Sequence, residues 1–329
     1  MKKALQVLKV AIAAMRTRTA ATLFIALAAG LSMGAASAQV ARPKAPIYGV
    51  TLDDLSNLDA IVASLTNLPY KPTVRVVFDP GTSAASYYKA LVRLHSVAYV
   101  MGEIMDSYYF PTDAATYTAR TKELVTGLAG TVDVWEIANE INGEWLRAHP
   151  AGTRTQVQAE ETAIGQMVAS AYDIVKASGG LVAVTLYYND DGKGNNCYEK
   201  PADSWRTWSQ AFLPSRVLQG TDYALLSYYS YQDCTGLQPQ WASEFALLEK
   251  IFPNAKVGFG EIGTSSTNAP TSVQQSLITT YYPMADQLND PRFIGGYFWW
   301  NYAEQMVPYQ TSSYWALLRK TISPLRAPN

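Results

Sequence analysis

Two glutamates stand where two carboxyl groups could share one reaction. Glu140 closes the run Val132-Asp133-Val134-Trp135-Glu136-Ile137-Ala138-Asn139-Glu140, and Glu261 closes Val257-Gly258-Phe259-Gly260-Glu261. A carboxyl pair flanking a sugar ring can break a glycosidic bond: one attacks the anomeric carbon while the other protonates the leaving oxygen. Retaining chemistry of this kind sets the two carboxyls ~5–5.5 Å apart. Other strand-like runs end in residues that suit the same chemistry. Arg75 and Asp79 close one, Glu103 and Asp106 another, and Tyr187-Tyr188-Asn189 a third. Tyr228-Tyr229, with Tyr231 close behind, and Trp299-Trp300-Asn301 add flat aromatic faces and an amide for sugar rings and their hydroxyls. The chain's two histidines, His95 and His149, stand apart from these ends, so a histidine-rich metal site is not expected and no cofactor is needed.

These residues need a scaffold that gathers strand ends. Apolar runs rich in β-branched and aromatic residues fall at about 47–51, 73–78, 98–103, 132–138, 181–188, 223–229, 256–261 and 294–300. Between them the spacing turns helical. Leu55, Leu58, Ile61, Val62 and Leu65 form one stripe; Tyr117, Leu124 and Leu128 another; Ile164, Met167, Val168, Ala171 and Ile174 a third. Residues 243–251 and 273–288 carry similar patterns. Strands alternating with helices predict a parallel sheet, and eight such units predict an α/β fold of the (β/α)8 TIM-barrel type. An open doubly wound sheet usually carries a glycine-rich turn after its first strand, whereas Gly49-Val50-Thr51-Leu52-Asp53 holds one glycine. In a barrel the active site lies at the C-terminal ends of the strands. The fourth and seventh tips face each other across that mouth, which would bring Glu140 and Glu261 together.

The segment ending Asn139-Glu140 resembles the acid/base motif of clan A glycoside hydrolases, in which Asn-Glu closes the fourth strand. Val257-Gly258-Phe259-Gly260-Glu261-Ile262-Gly263 resembles their nucleophile motif on the seventh. The resemblance implies Glu140 as acid/base, Glu261 as nucleophile, and Asn139 on the sugar 2-hydroxyl. It also implies Arg75 as the second-strand arginine that hydrogen-bonds the nucleophile, although Asp79 or Glu103 could instead claim its charge. Trp300 or Trp299 would floor the sugar subsite. The nucleophile's sixth-strand tyrosine would be one of Tyr228, Tyr229 and Tyr231, with Tyr228 carried as the substrate-side candidate. The clan's histidine near the sixth or seventh strand has no counterpart here. Glu136, four residues before Glu140, is expected deeper in the barrel wall.

Composition fits a barrel that works on sugars outside the cell. Residues 1–38 hold Lys2, Lys3, Lys9, Arg16 and Arg18, no acid, the apolar run 23–29, and Ala36-Ser37-Ala38, an A-x-A-type cleavage site. They read as a signal peptide cleaved after Ala38, leaving a single domain, residues 39–329, that is acidic, monomeric, and secreted or periplasmic without a membrane span. Near-zero net charge, 26 Lys+Arg against 27 Asp+Glu, without basic runs speaks against nucleic acid as a partner. Cys197 and Cys234 each follow an apolar strand-like run, and in an oxidising compartment they could close a disulfide. The segment 189–195 resembles a Ca²⁺ loop but lacks the distal glutamate, and is expected to be a polar turn. His95 is expected on a helix and His149 in a surface loop.

The expectation is a secreted retaining β-glycoside hydrolase. Its strand-to-helix loops are short for a closed pocket, so an open groove and endo-action on a polysaccharide or oligosaccharide follow. A transglycosylase would carry the same residues. A carbohydrate-binding barrel that has lost catalysis would not need both glutamates together with Arg75 and Asn139. An unrelated barrel acting on phosphorylated substrates is disfavoured, because no glycine-rich loop lies near the last two strands.

Overall fold

Eight short apolar runs become eight parallel strands. They are β1 (Ile47–Leu52), β2 (Thr73–Val77), β3 (Tyr99–Glu103), β4 (Val134–Ala138), β5 (Leu181–Tyr187), β6 (Tyr223–Tyr229), β7 (Lys256–Gly263) and β8 (Gly295–Trp299). They hydrogen-bond in chain order, and β8 pairs back onto β1, closing the barrel. The structure is a computed structural model that describes residues 42–109, 113–146, 152–195, 203–230, 236–264, 269–300 and 302–329. The expected signal peptide, the Cys197–Cys234 disulfide, His149, Tyr231 and Asn301 lie outside those residues. Among the described residues no helix is long and apolar enough to cross a membrane.

Helices connect successive strands and cover the sheet, so both faces of every strand are buried, as parallel strands require. The apolar stripes in the sequence point inward. In helix Arg154–Ala177, Ile164, Met167, Val168 and Ala171 are buried, and a reciprocal Thr153–Gln156 capping box starts the helix. The single helical pattern expected over 273–288 divides into Thr271–Tyr281 and Met284–Gln287. Pro283 stands at the break, where a residue without an N–H cannot continue the hydrogen-bond ladder. His95 does sit on a helix, Ala84–Val97, with Nε2 3.0 Å from Asp133 Oδ1.

Inside the barrel the chemistry changes with height. The lower layer is apolar: Ile47, Met101, Val134, Ala183, Leu225, Ile294 and Phe298 form one buried cluster with Tyr223. Above it the interior is polar and charged, with Arg75, Glu103, Glu136, Thr185 and Ser227 all at most 1% exposed. Buried charge is expensive unless paired, so this layer has to be organised around its one cation.

Three strands depart from regular register near the mouth. The β4–β5 ladder shifts between Glu136 and Ala138, and the β6–β7 ladder shifts between Leu226 and Ser227. Such bulges bend a strand and re-aim the residues beyond them; here those are Asn139 and Glu140 on one strand, Glu261 on the other. The extra residue of β7 is Gly260, where a Cβ would lie 2.5 Å from Thr185 Cγ2, so only glycine fits. In β8, Gly295, Gly296, Tyr297 and Phe298 all have positive φ, and the β1–β8 register slips between Tyr48 and Val50.

Candidate active site

Arg75 is the centre of the charged layer. Its Nε donates to Glu136 Oε2 at 2.5 Å, and its Nη2 lies 2.9 Å from Glu103 Oε2 and 2.8 Å from Glu261 Oε1. One guanidinium thus faces three carboxyl groups, with Thr185 Oγ1 donating to the second oxygen of Glu136. Burial pushes Glu103 well above the usual carboxyl range, against the pull of Arg75. Burial also raises Glu136, and there the Arg75 charge and hydrogen bond oppose it. Arg75 therefore lies beside both Glu261 and the alternative partner Glu103. Asp79 does not take part, because its carboxylate and backbone N–H are engaged by the Tyr87 hydroxyl.

Glu261 is held from three sides. Besides Arg75, Asn139 Nδ2 donates to its Oε1 at 2.8 Å, and the Tyr229 hydroxyl donates to its Oε2. Asn139 is itself fixed, its Oδ1 accepting from Ser107 N at 3.2 Å. The residue next to it, Glu140, has φ 47°, a left-handed conformation uncommon for a side chain of this size. Its backbone N–H bonds Thr185 O at 3.0 Å, so the strand ladder continues past the bulge and holds the turn.

Glu140 is 8% exposed and shares two serines with its surroundings. Ser227 Oγ donates to Oε1, and Ser107 Oγ lies 3.3 Å from Oε2. Ser227 also pairs in register with Glu261 on β7, so it and Asn139 each touch the neighbourhood of both glutamates. Burial raises the Glu140 carboxyl well above its ordinary range, and the charges of Glu261, Glu144 and Asp106 push it further while Ser227 opposes. Asp106 is raised to about 6, by burial first and then by Glu261. The arrangement can hold a proton on Glu140 beside a second carboxylate that is gripped by donors, which is the division a double displacement requires.

Two of the expected sugar-contacting residues face elsewhere. Tyr228 alternates away from Ser227 and Tyr229 into the layer between sheet and helices, where its ring lies 5.2 Å from Trp241 and 5.6 Å from Tyr188. Of the sixth-strand tyrosines, Tyr229 is the one that bonds Glu261. Trp299 is 2% exposed and donates its Nε1 to Gln305 at 2.9 Å, so it belongs to the wall. Trp300 is partly exposed and lies with its ring 5.6 Å from the Arg75 guanidinium, which leaves it as the tryptophan of the mouth.

The residues that sequence reasoning missed are Ser107, Ser227, Thr185 and Glu144. Glu136 lies in the wall as expected, but it holds Arg75. The segment 189–195 is a polar turn, with Asp191 accepting from Lys193 N and from Asn195 Nδ2, both at 2.8 Å. Among the described residues no group of three or more His, Cys, Asp or Glu side chains could hold a metal ion.

No protein-family model matches the chain, and neither does any curated protein. Solved structures do. A GH5-4 broad-specificity endoglucanase from an uncultured bacterium aligns with TM-score 0.51 and 14% identity over 82% of this chain and 85% of its own. PbGH5A, a glycoside hydrolase family 5 enzyme from Prevotella bryantii B14, aligns with TM-score 0.54 and 13% identity over 86% of this chain and 98% of its own. A β-glucuronidase from Bacteroides uniformis aligns with TM-score 0.53 and 14% identity over 78% of this chain, which spans only 30% of that larger protein. At these identities the likeness establishes a shared (β/α)8 barrel.

Proposed function

We propose that this chain is a retaining β-glycoside hydrolase, exported from the cytoplasm and acting within polysaccharide chains. One observation carries the reading: the two glutamates at the tips of β4 and β7 share Asn139 and Ser227, yet their surroundings treat them oppositely. Glu261 receives Asn139 and Tyr229 as donors with Arg75 alongside, whereas Glu140 is buried among acids. In the first step a Glu261 oxygen bonds to the anomeric carbon, the glycosidic C–O bond breaks, and Glu140 passes its proton to the departing oxygen. In the second, water attacks that carbon and gives a proton to Glu140. The bond to Glu261 breaks, and the carboxylate returns. Enzymes of similar fold include family 5 members, one of them solved with a xyloglucan tetradecasaccharide, so a β-linked glucan is the first substrate class to test.

The segments between β4 and the helix that follows (139–153) and between β5 and the helix that follows (188–204) are not the short loops expected, so endo-action rests on two tyrosines. The backbone N–H of Tyr108 bonds Asp106 Oδ1 at 2.8 Å, in the segment whose Ser107 touches Glu140. Tyr108 and Tyr109 are 72% and 43% exposed, with rings 5.2 Å apart. Because Glu140 protonates the leaving group, faces on its side of the mouth are available to the departing sugar chain. Export rests on residues 1–38, with their basic start and Ala-Ser-Ala site.

The test is digestion of a panel of β-linked polysaccharides, with the anomer of the first product read by proton NMR. A β-anomer, lost in both Glu140→Gln and Glu261→Gln, supports the proposal. An α-anomer would mean inversion, and turnover unchanged in both variants would remove the catalytic reading.

A further inference from the structure

The Ser107 hydroxyl has one proton and two acid neighbours. It lies 2.9 Å from Glu144 Oε2 and 3.3 Å from Glu140 Oε2. A hydroxyl can donate once and accept through its lone pairs, so the shorter contact takes its proton and a lone pair is left facing Glu140. That lone pair is of use only to a Glu140 that carries hydrogen on Oε2. The opposite oxygen, Oε1, already accepts from Ser227. Both oxygens of a neutral Glu140 are therefore matched: a carbonyl oxygen to a donor and a hydroxyl to an acceptor. An ionised Glu140 would leave Oε2 facing a lone pair unless Ser107 gave up Glu144.

Glu144 lies on the turn that follows β4 and is exposed, so it can exchange with solvent while Glu140 stays 8% exposed. The other groups that face Glu140 do not repeat this contact. They are Glu261 from β7, Tyr229 and Ser227 from β6, and Asp106 after β3, with Arg75 of β2 reaching it through Glu261. Among these acids Glu144 is the one joined to Glu140 through a shared hydroxyl.

We infer that Glu144, acting through Ser107, is a positioning residue that keeps Glu140 protonated and fixes Oε2 as the oxygen that carries the proton. The inference rests on the reading of Glu140 as acid/base. It identifies the Ser107 side of the mouth as the side on which the leaving oxygen is met. Once the proton has left, Glu140 faces a lone pair and a carboxylate, which favours recovery of a proton from the attacking water.

Carbon-13 NMR titration of protein labelled at the glutamate carboxyl carbons tests this without a substrate. The Glu140 signal is identified by its absence in Glu140→Gln. In Glu144→Gln the amide can donate to Ser107, whose hydroxyl is then free to turn toward Glu140 and stabilise the carboxylate. The midpoint should fall by about one pH unit, the size expected when a like charge is removed at this range. Ser107→Ala should lower it by less, because the charge of Glu144 stays. An unchanged midpoint in Glu144→Gln overturns the inference, and a change there without one in Ser107→Ala removes the role of the hydroxyl. The parent reading fails separately, if Glu140→Gln cleaves polysaccharide as well as the unaltered protein does, whatever the titration gives.

Discussion

Replacing Arg75 with methionine should destabilise the barrel by an amount that depends on pH. The side chain is fully buried, with Glu136 at 2.5 Å, Glu261 at 2.8 Å and Glu103 at 2.9 Å. Removing one partner of a buried ion pair costs about 3–5 kcal/mol, because the other charge is left unpaired. For a domain of this size about 2–4 °C of melting temperature go with each kcal/mol, so a fall of roughly 6–20 °C is expected near neutral pH. Burial already raises Glu103 and Glu136 while Arg75 opposes it, so losing the arginine raises them further. A carboxyl whose folded pKa lies above its unfolded value of ~4.3 gives its full stability below that value and loses it as pH rises through the folded pKa. The deficit of Arg75→Met should therefore be small near about pH 5 and large near about pH 8, where the acids must stay protonated or remain as unpaired charges. Urea or thermal unfolding at the two pH values measures it. A deficit equal at both, or none at either, would refute the picture of a guanidinium neutralising this cluster. Arg75→Lys should recover only part of the loss, since one ammonium cannot reach three carboxyls as a planar fork does.

Other substitutions separate the residues that touch the site from those that line the wall. Tyr229→Phe removes a donor from Glu261 and should lower kcat/KM about 10- to 100-fold, the worth of one hydrogen bond to a charged group. Tyr228→Phe, altered in the wall, should leave kcat/KM close to the starting value, and steady-state kinetics on the same substrate compares the two. Tyr108→Ala with Tyr109→Ala should raise KM for polysaccharide roughly fivefold, for about 1 kcal/mol of lost ring contact. KM for an aryl glycoside, which places no sugar on the leaving-group side, should stay unchanged; an equal rise in both would count against the placement of these tyrosines.

Much of the fold was readable because each strand is an apolar run buried on both faces, and such runs stand out from the polar turns around them. The same double burial hid which face looks inward. Alternation in Tyr223-Ala-Leu-Leu-Ser-Tyr-Tyr separates Tyr228 from Tyr229 but does not say which of the two lies inside. Bulges removed even that guide elsewhere: the slip and the run of positive φ in β8 decide that Trp300, not Trp299, reaches the mouth. The two glutamates, Asn139 and Arg75 were legible as a set because strand ends gather at one mouth. Ser107, Ser227 and Thr185 carried no signal, since a single hydroxyl forms no pattern until the chain brings a carboxyl to it. Glu136 was visible as a wall residue, but its grip on Arg75 required the β3–β4 register, which places it beside Glu103.

The central claim is that Glu261 bonds to the sugar while Glu140 moves the proton. Incubation with a panel of activated 2-fluoro glycosides, followed by proteolysis and peptide mapping by mass spectrometry, tests it most directly. One glycosyl unit on the peptide containing Glu261, absent in Glu261→Gln and still formed in Glu140→Gln because an activated leaving group departs without a proton, is the expected result. A label on any other residue would contradict the assignment, and so would absence of label from an enzyme that still turns over polysaccharide in both glutamine variants.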